Sequence, residues 1–93
     1  MKQLRSREHR VLCDLLVESR EHAGLTQRDL AARLKRPHSY VAKIEGGERR
    51  LDVIEFIEVA RALEVDPVKL LSRMDLLIKG RSGRMSSRST SRT

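Results

Sequence analysis

The stretch Leu25–Gly47, LTQRDLAARLKRPHSYVAKIEGG, predicts two short helices joined by a tight turn. Thr26 precedes the first apolar repeat and Asp29 follows three residues later, which is the spacing of a capping box at a helix start. Proline cannot continue a preceding helix but fits the first turn of the next one, so Pro37 separates the two. The final Gly-Gly ends the second helix. The expected helices cover residues 27–34 and 38–45.

Three further helices are expected around this pair. Residues 6–23 lack Pro and Gly and carry apolar residues at helical spacing, and Gly24 follows them. Asp52 is placed to cap a helix over 53–63, with Glu55 as its reciprocal partner. Asp66-Pro67 repeats a cap followed by a first-turn proline and opens a helix over 67–78. With no strand pattern, the predicted fold class is an all-α, compact five-helix domain.

The length and composition allow one small domain, residues 1–79, followed by a tail. Residues 80–93 contain four Arg, no acid and almost no apolar residue, so we expect a disordered basic tail. One cysteine, Cys13, excludes an intrachain disulfide. No apolar run approaches the roughly 18–20 residues that span a bilayer. We therefore expect a reducing, cytoplasmic setting and no membrane partner.

The net charge of +7 is unevenly distributed. Residues 25–50 carry seven Lys/Arg and three Asp/Glu, whereas residues 51–79 carry four and six. A basic patch attracts polyanions, of which nucleic acid is the usual one. On charge alone, a soluble basic domain without such a partner remains an equal alternative.

The helix pair resembles the lambda-repressor/Cro-type helix-turn-helix family, also called the xenobiotic-response-element family. The residues that carry the resemblance are Thr26-Gln27, Leu30-Ala31, Val41, Ile44-Glu45 and Gly47. The later stretch LDVIEFIEVARALEVDPVKLL is similar to that family's fourth and fifth helices. The resemblance implies a regulator of transcription that binds double-stranded DNA sequence-specifically. It also implies a homodimer on a two-fold operator, with the helix over 38–45 in the major groove.

The site residues fall into three groups. The side chains expected at base edges are His38, Ser39 and Lys43. Those expected at the DNA backbone are Gln27, Arg28, Lys35, Arg36, Tyr40, Arg49 and Arg50. Arg20 and Glu45 match a structural ion pair that ties the first helix to the end of the third. The sequence departs from the family at Lys35, where a turn glycine is usual, so either a left-handed lysine forms the turn at a cost of about 1 kcal/mol or the turn is built differently. It also departs at Pro37, where a capping Ser or Thr is usual.

An apolar stripe on the last helix has two interpretations, a dimer surface or closure of the core. Its residues are Leu70, Leu71, Met74, Leu77 and Ile78. The alternative function is a helical protein-interaction module, such as an antitoxin or adaptor, with a protein partner. An enzyme is disfavoured because the three histidines are scattered and no metal or nucleophile spacing is present. No cofactor and no metal is expected.

Overall fold

The structure, a computed structural model, describes residues 6–82, with side chains as far as residue 80. Its five helices are α1 Arg7–His22, α2 Gln27–Leu34, α3 His38–Glu45, α4 Val53–Ala62 and α5 Pro67–Ser82. Residues 6–82 contain no strand, so the all-α five-helix prediction is confirmed. None of these helices is both long and apolar enough to cross a membrane.

The last helix is longer than expected. It passes Gly80 and ends at Ser82 instead of Ile78, because a glycine weakens a helix by about 1 kcal/mol without necessarily ending it. The predicted tail therefore begins inside α5, and residues 83–93 lie outside the described part of the chain.

Two helices begin with a complete capping box. In α2 the Asp29 N–H donates to the Thr26 hydroxyl at 3.0 Å, and the Thr26 N–H donates to the Asp29 carboxylate at 2.9 Å. In α4, Asp52 and Glu55 repeat this exchange at 2.7 and 3.0 Å. The helix α3 differs, because Pro37 is its N-cap and offers no side-chain hydrogen bond. Its first turn is therefore held by the backbone and by packing.

Four helices end with one residue in the left-handed conformation. The four residues are Gly24 (φ 76°), Lys35 (φ 58°), Gly47 (φ 82°) and Glu64 (φ 61°). After each of them an N–H bonds back five residues, as from Arg36 to the Ala31 carbonyl at 3.0 Å, which is the Schellman arrangement. Glycine adopts this conformation freely, whereas Lys35 and Glu64 each do so at a cost of about 1 kcal/mol. The turn before α3 is thus formed by a left-handed Lys35.

All five helices contribute to one apolar core. The buried side chains are Leu15, Leu16, Leu30, Ala31, Tyr40, Val41, Ile44, Val59, Ala60, Leu63 and Leu70. Leu70 is 2% exposed and Met74 packs against this cluster, so neither belongs to an exposed stripe. For these two residues the interpretation as core closure is correct. The core fixes the inner face of α3 and leaves its other face to solvent.

Candidate nucleic-acid interface

The outer face of α3 carries the three side chains expected at base edges. His38, Ser39 and Lys43 are all exposed, while Val41 and Ile44 anchor the helix from behind. Ser39 and Lys43 are four residues apart and so lie one above the other on the same side of the helix. Within the described residues neither side chain has a hydrogen-bond or ion-pair partner, so their polar groups are available to a ligand.

A hydrogen-bonded ion pair holds the end of α3 to α1. Arg20 Nε donates to Glu45 Oε2 at 2.7 Å, and Arg20 Nη2 donates to Glu45 Oε1 at 3.1 Å. Arg20 Nη1 also donates to the Leu25 carbonyl at 2.7 Å. The side chains are only 11% and 7% exposed, and the hydrogen bond to Glu45 is the main reason that the pKa of Arg20 lies above its ordinary value.

Gln27 extends this pair to the beginning of α3. Its Nε2 donates to Glu45 Oε1 at 2.8 Å, and its Oε1 lies 3.1 Å from His38 Nε2. An ionised carboxylate can only accept hydrogen bonds, so the amide nitrogen of Gln27 must face Glu45. The amide oxygen then requires a proton on His38 Nε2. The chain of contacts therefore places a proton on His38 Nε2 and leaves Nδ1 outside this network.

Tyr40 is placed differently from the prediction. We expected its side chain to contact the DNA backbone, but it is 9% exposed and belongs to the core. The guanidinium groups of Arg36 and Arg49 lie over its ring, 4.6 and 4.7 Å from the centroid. Burial is the main cause that raises the pKa of the Tyr40 hydroxyl. A ring packed and covered in this way holds other side chains and is not open to a sugar or a thymine methyl group.

Two acids of α4 complete this cluster. Glu55 accepts hydrogen bonds from Arg49 at 3.0 and 3.2 Å, which lowers the pKa of Glu55 and raises that of Arg49. Glu58 lies 3.8 Å from Arg36. The sequence interpretation missed both acids as partners of the basic residues. Glu55 and Glu58 are three residues apart and therefore lie on one side of α4, and this spacing could have indicated an acidic face that pairs with basic residues.

Three of the expected backbone contacts lie elsewhere around α3 or, in the case of Arg50, beside Arg49. Arg28, Lys35 and Arg50 are exposed, the first on α2, the second in the turn before α3 and the third in the loop after it. The structure thus brings some predicted residues into two ordered clusters and places the exposed side chains of Arg28, Lys35 and Arg50 around them.

The apolar exposure outside the core was only partly predicted. Leu71 and Leu77 of the predicted stripe are exposed, and Ile78 is half-buried. On α4, Val53 and Ile54 are also exposed, at 72% and 65%, and the sequence analysis did not single them out as a surface. The signal was an excess of apolar residues, VIEFIEVA, too many for one helix face to bury.

The family model of the helix-turn-helix domain matches residues 11–72, which include α2, α3 and α4 and most of α1. The chain belongs to this helix-turn-helix family. The family and the fold are those of DNA-binding regulators of transcription, so the predicted membership is confirmed.

Solved structures of helix-turn-helix regulators are also similar to this chain. An XRE-family like protein from Pseudomonas syringae pv. tomato str. DC3000 is 51% identical, with 75% of this chain and 85% of that chain covered and a TM-score of 0.72. The restriction-modification controller protein C.AhdI from Aeromonas hydrophila is 29% identical, with 70% and 98% covered and a TM-score of 0.65. No curated protein matches the sequence.

The controller protein C.Esp1396I shares the fold at 24% identity, with 80% of this chain and 97% of that chain covered and a TM-score of 0.73. That structure is a tetramer in complex with its natural 35 base-pair operator.

Proposed function

We propose that this chain is a sequence-specific regulator of transcription that inserts α3 into the major groove of double-stranded DNA. The observation that carries the proposal is the exposed polar face of α3, where Ser39 and Lys43 have no partner in the described part of the chain. The major groove distinguishes all four base pairs, and a helix fits into it. The operator complex of C.Esp1396I supports this use of the fold.

The three outward side chains have different chemistry toward bases. Lys43 donates, which suits the O6 and N7 acceptors of guanine. Ser39 both donates and accepts. His38, with its Nε2 proton directed at Gln27, presents Nδ1 as an acceptor when the ring is neutral. We infer that Gln27 and the basic residues around α3 hold the backbone phosphates and thereby set the register in which these groups read sequence.

The proposal is tested by titrating labelled duplexes, both random and selected, at several salt concentrations. We expect log K to fall linearly with log salt, by about 0.9 for each phosphate contact. A slope of zero would exclude the phosphate contacts. In the same assay Lys43→Ala should change which duplexes are selected, because a lost base contact relaxes specificity at one position.

Lys69→Ala is the matched control for this substitution. Lys69 is an exposed lysine on α5, so its loss removes the same charge without touching α3. We expect the control to retain the selected sequence. If Lys43→Ala weakens all duplexes equally, Lys43 is a phosphate contact and not a base contact.

We further propose that the protein acts as a homodimer on a two-fold operator, because one α3 covers only a half-site. The proposed dimer surface combines exposed apolar side chains of α4 and α5, because a contiguous apolar patch in solvent marks an interaction surface. On α5, Leu71 and Arg73 are about 200° apart around the helix. Arg73 reaches Glu18 of α1, so Leu71 lies on the flank turned away from α1.

The proposed surface therefore differs from the original stripe. It consists of Val53, Ile54, Val68 and Leu71, whereas Leu77 lies on the flank of α5 nearer to Arg73. The same exposed residues favour the alternative function, a protein-interaction module. Sedimentation equilibrium of the purified protein separates the two, because a homodimer forms without any other protein. If the protein is a monomer at all concentrations, the homodimer proposal is wrong, and the result favours the protein-interaction module.

A further inference from the structure

We propose that Tyr40 is a positioning residue, whose ring holds Arg36 and Arg49 as a preformed clamp for the DNA backbone. The inference rests on the proposed DNA binding, and in it Tyr40 acts through the two arginines without touching the DNA itself. Tyr40 is buried, and the two guanidinium groups lie over its ring at 4.6 and 4.7 Å from the centroid. Arg36, Tyr40 and Arg49 together form this arginine clamp.

The hydrogen bonds of Arg49 leave one binding edge open. Nη1 donates to the Arg50 carbonyl at 2.9 Å and to Glu55 Oε1 at 3.2 Å, and Nη2 donates to Glu55 Oε2 at 3.0 Å. A guanidinium has five N–H donors, so the Nε–H and one Nη2–H remain. These two lie on the neighbouring edge of the planar group and match a bidentate phosphate contact. Arg49 can therefore bind a phosphate without leaving Glu55.

Arg36 is held mainly by the ring. Its nearest carboxylate oxygen, on Glu58, is 3.8 Å away, which is too long for a hydrogen bond. The donors of Arg36 are thus not occupied by Glu58, while the aromatic ring restricts where the guanidinium can lie. Because both arginines share one ring, their two charges are presented to the same segment of backbone. An arginine restrained before binding loses less conformational entropy when it takes a phosphate.

The test is a double-mutant cycle read out as affinity for a selected duplex. Tyr40→Leu keeps a buried apolar side chain but removes the aromatic ring, and we expect it to weaken binding about tenfold, because two freed arginine side chains must then be ordered when DNA binds. Arg36→Ala should cost less in the Tyr40→Leu background than in the wild type. Arg28→Ala, which removes an exposed arginine of α2 away from the ring, should cost the same in both backgrounds. Tyr40→Phe retains the ring and should bind like the wild type.

The outcomes separate a positioning role from a merely structural one. Thermal unfolding shows whether each variant is folded at the assay temperature. If Tyr40→Leu lowers only the melting temperature, and Arg36→Ala costs the same in both backgrounds, the clamp is excluded while DNA binding stands. If the wild-type protein binds no duplex, the proposed function fails, and the clamp fails with it.

A second set of variants leaves the core untouched and covers the case in which Tyr40→Leu does not fold. Lysine keeps the charge but has neither the planar stacking surface nor the fork of donors. We expect Arg36→Lys and Arg49→Lys each to weaken binding severalfold, and each by more than Arg28→Lys, because Arg28 keeps its charge and has no ring to stack on. Equal effects at all three positions would show that only charge matters and would overturn the clamp.

Discussion

The helix pairs α2–α3 and α4–α5 are built with the same local devices but present different surfaces. The first helix of each pair starts with a capping box, at Thr26 and at Asp52. Each first helix ends at a left-handed residue that is not glycine, Lys35 or Glu64. A proline then stands at or just inside the start of the second helix.

The difference lies in what the second helix exposes. The helix α3 shows polar side chains, backed by the network from Arg20 through Glu45 and Gln27 to His38. The helix α5 shows apolar side chains such as Val68 and Leu71. Local signals therefore determine where the helices begin and end, while the side chains on the outer face determine what each pair can bind.

The largest expected effect is the loss of the ion pair behind α3. Arg20→Ala leaves the carboxylate of Glu45, which is 7% exposed, without its cation. An unpaired buried charge typically destabilises a protein by about 3 kcal/mol. Chemical denaturation of the variant and the wild type measures this difference in the free energy of unfolding.

Arg73→Ala is the control for this prediction. Arg73 pairs with Glu18 at 3.4 Å, but both side chains are more than half exposed. Surface pairs of this kind contribute at most about 1 kcal/mol, so the control should be close to the wild type. Equal destabilisation by the two substitutions would contradict the special role of the pair behind α3.

The next effect concerns the apolar surface of α4–α5. Leu71 is 50% exposed, and Leu71→Asp would place a carboxylate in the proposed dimer surface. We expect the dissociation constant of the dimer to rise about tenfold, which is about 1.4 kcal/mol, because a charge buried at an interface loses its hydration. Sedimentation equilibrium measures this change.

Leu76→Asp provides the comparison on the same helix. Leu76 is also exposed but lies about 140° around α5 from Leu71. Its substitution should leave self-association unchanged. A larger effect of Leu76→Asp than of Leu71→Asp would show that the other flank of α5 forms the interface.

The fold was more predictable from the sequence than the site was. Capping residues, prolines and apolar periodicity act within a few positions of one another, so α2 and α3 begin and end where these signals lie. The turn at Lys35 was less certain, because sequence alone allowed either a left-handed lysine or a different turn. Backbone hydrogen bonds from the residues after α2 show that the left-handed form is used.

The site depends on contacts between residues far apart in the chain, which periodicity does not report. The position of Tyr40 in the sequence is compatible with a side chain that faces outward or inward, and only the packed structure places it in the core. The partnership of Arg49 with Glu55 likewise depends on how the loop after α3 meets α4. For the same reason, Leu70 and Leu71 are neighbours in sequence but lie in the core and on the surface, respectively.

The two left-handed residues that are not glycine, Lys35 and Glu64, give a smaller effect and compare the two helix pairs directly. Lys35→Gly and Glu64→Gly should each stabilise the fold by about 0.5–1 kcal/mol, because glycine relieves the strain but adds freedom to the unfolded chain. Thermal or chemical unfolding measures both. Lys35→Gly should also weaken DNA binding, since it removes a proposed phosphate contact, whereas Glu64→Gly should not. Loss of stability in either variant would mean that the side chain contributes more than the strain costs.

The smallest expected effect is the acid sensitivity of the two capping boxes. The pKa of Asp29 is lowered mainly by the backbone hydrogen bond from Thr26, and the pKa of Glu55 mainly by Arg49 and then by the backbone of Asp52. A carboxyl group with a lowered pKa in the folded state stabilises the fold above its unfolded pKa, about 4. This contribution is lost as the pH falls through the folded pKa. The melting temperature should therefore decline below about pH 4.

Asp29→Asn and Glu55→Gln separate the two boxes in this pH series. Each substitution removes one titrating group, so the decline in melting temperature between about pH 5 and pH 3 should become shallower in each variant. Glu55→Gln should also reduce DNA affinity, because Glu55 holds Arg49 in the arginine clamp, whereas Asp29→Asn leaves that clamp intact. An unchanged pH profile in both variants would assign the acid sensitivity to other carboxylates. If Asp29→Asn lost as much DNA affinity as Glu55→Gln, the contact of Glu55 with Arg49 would not explain the loss in Glu55→Gln.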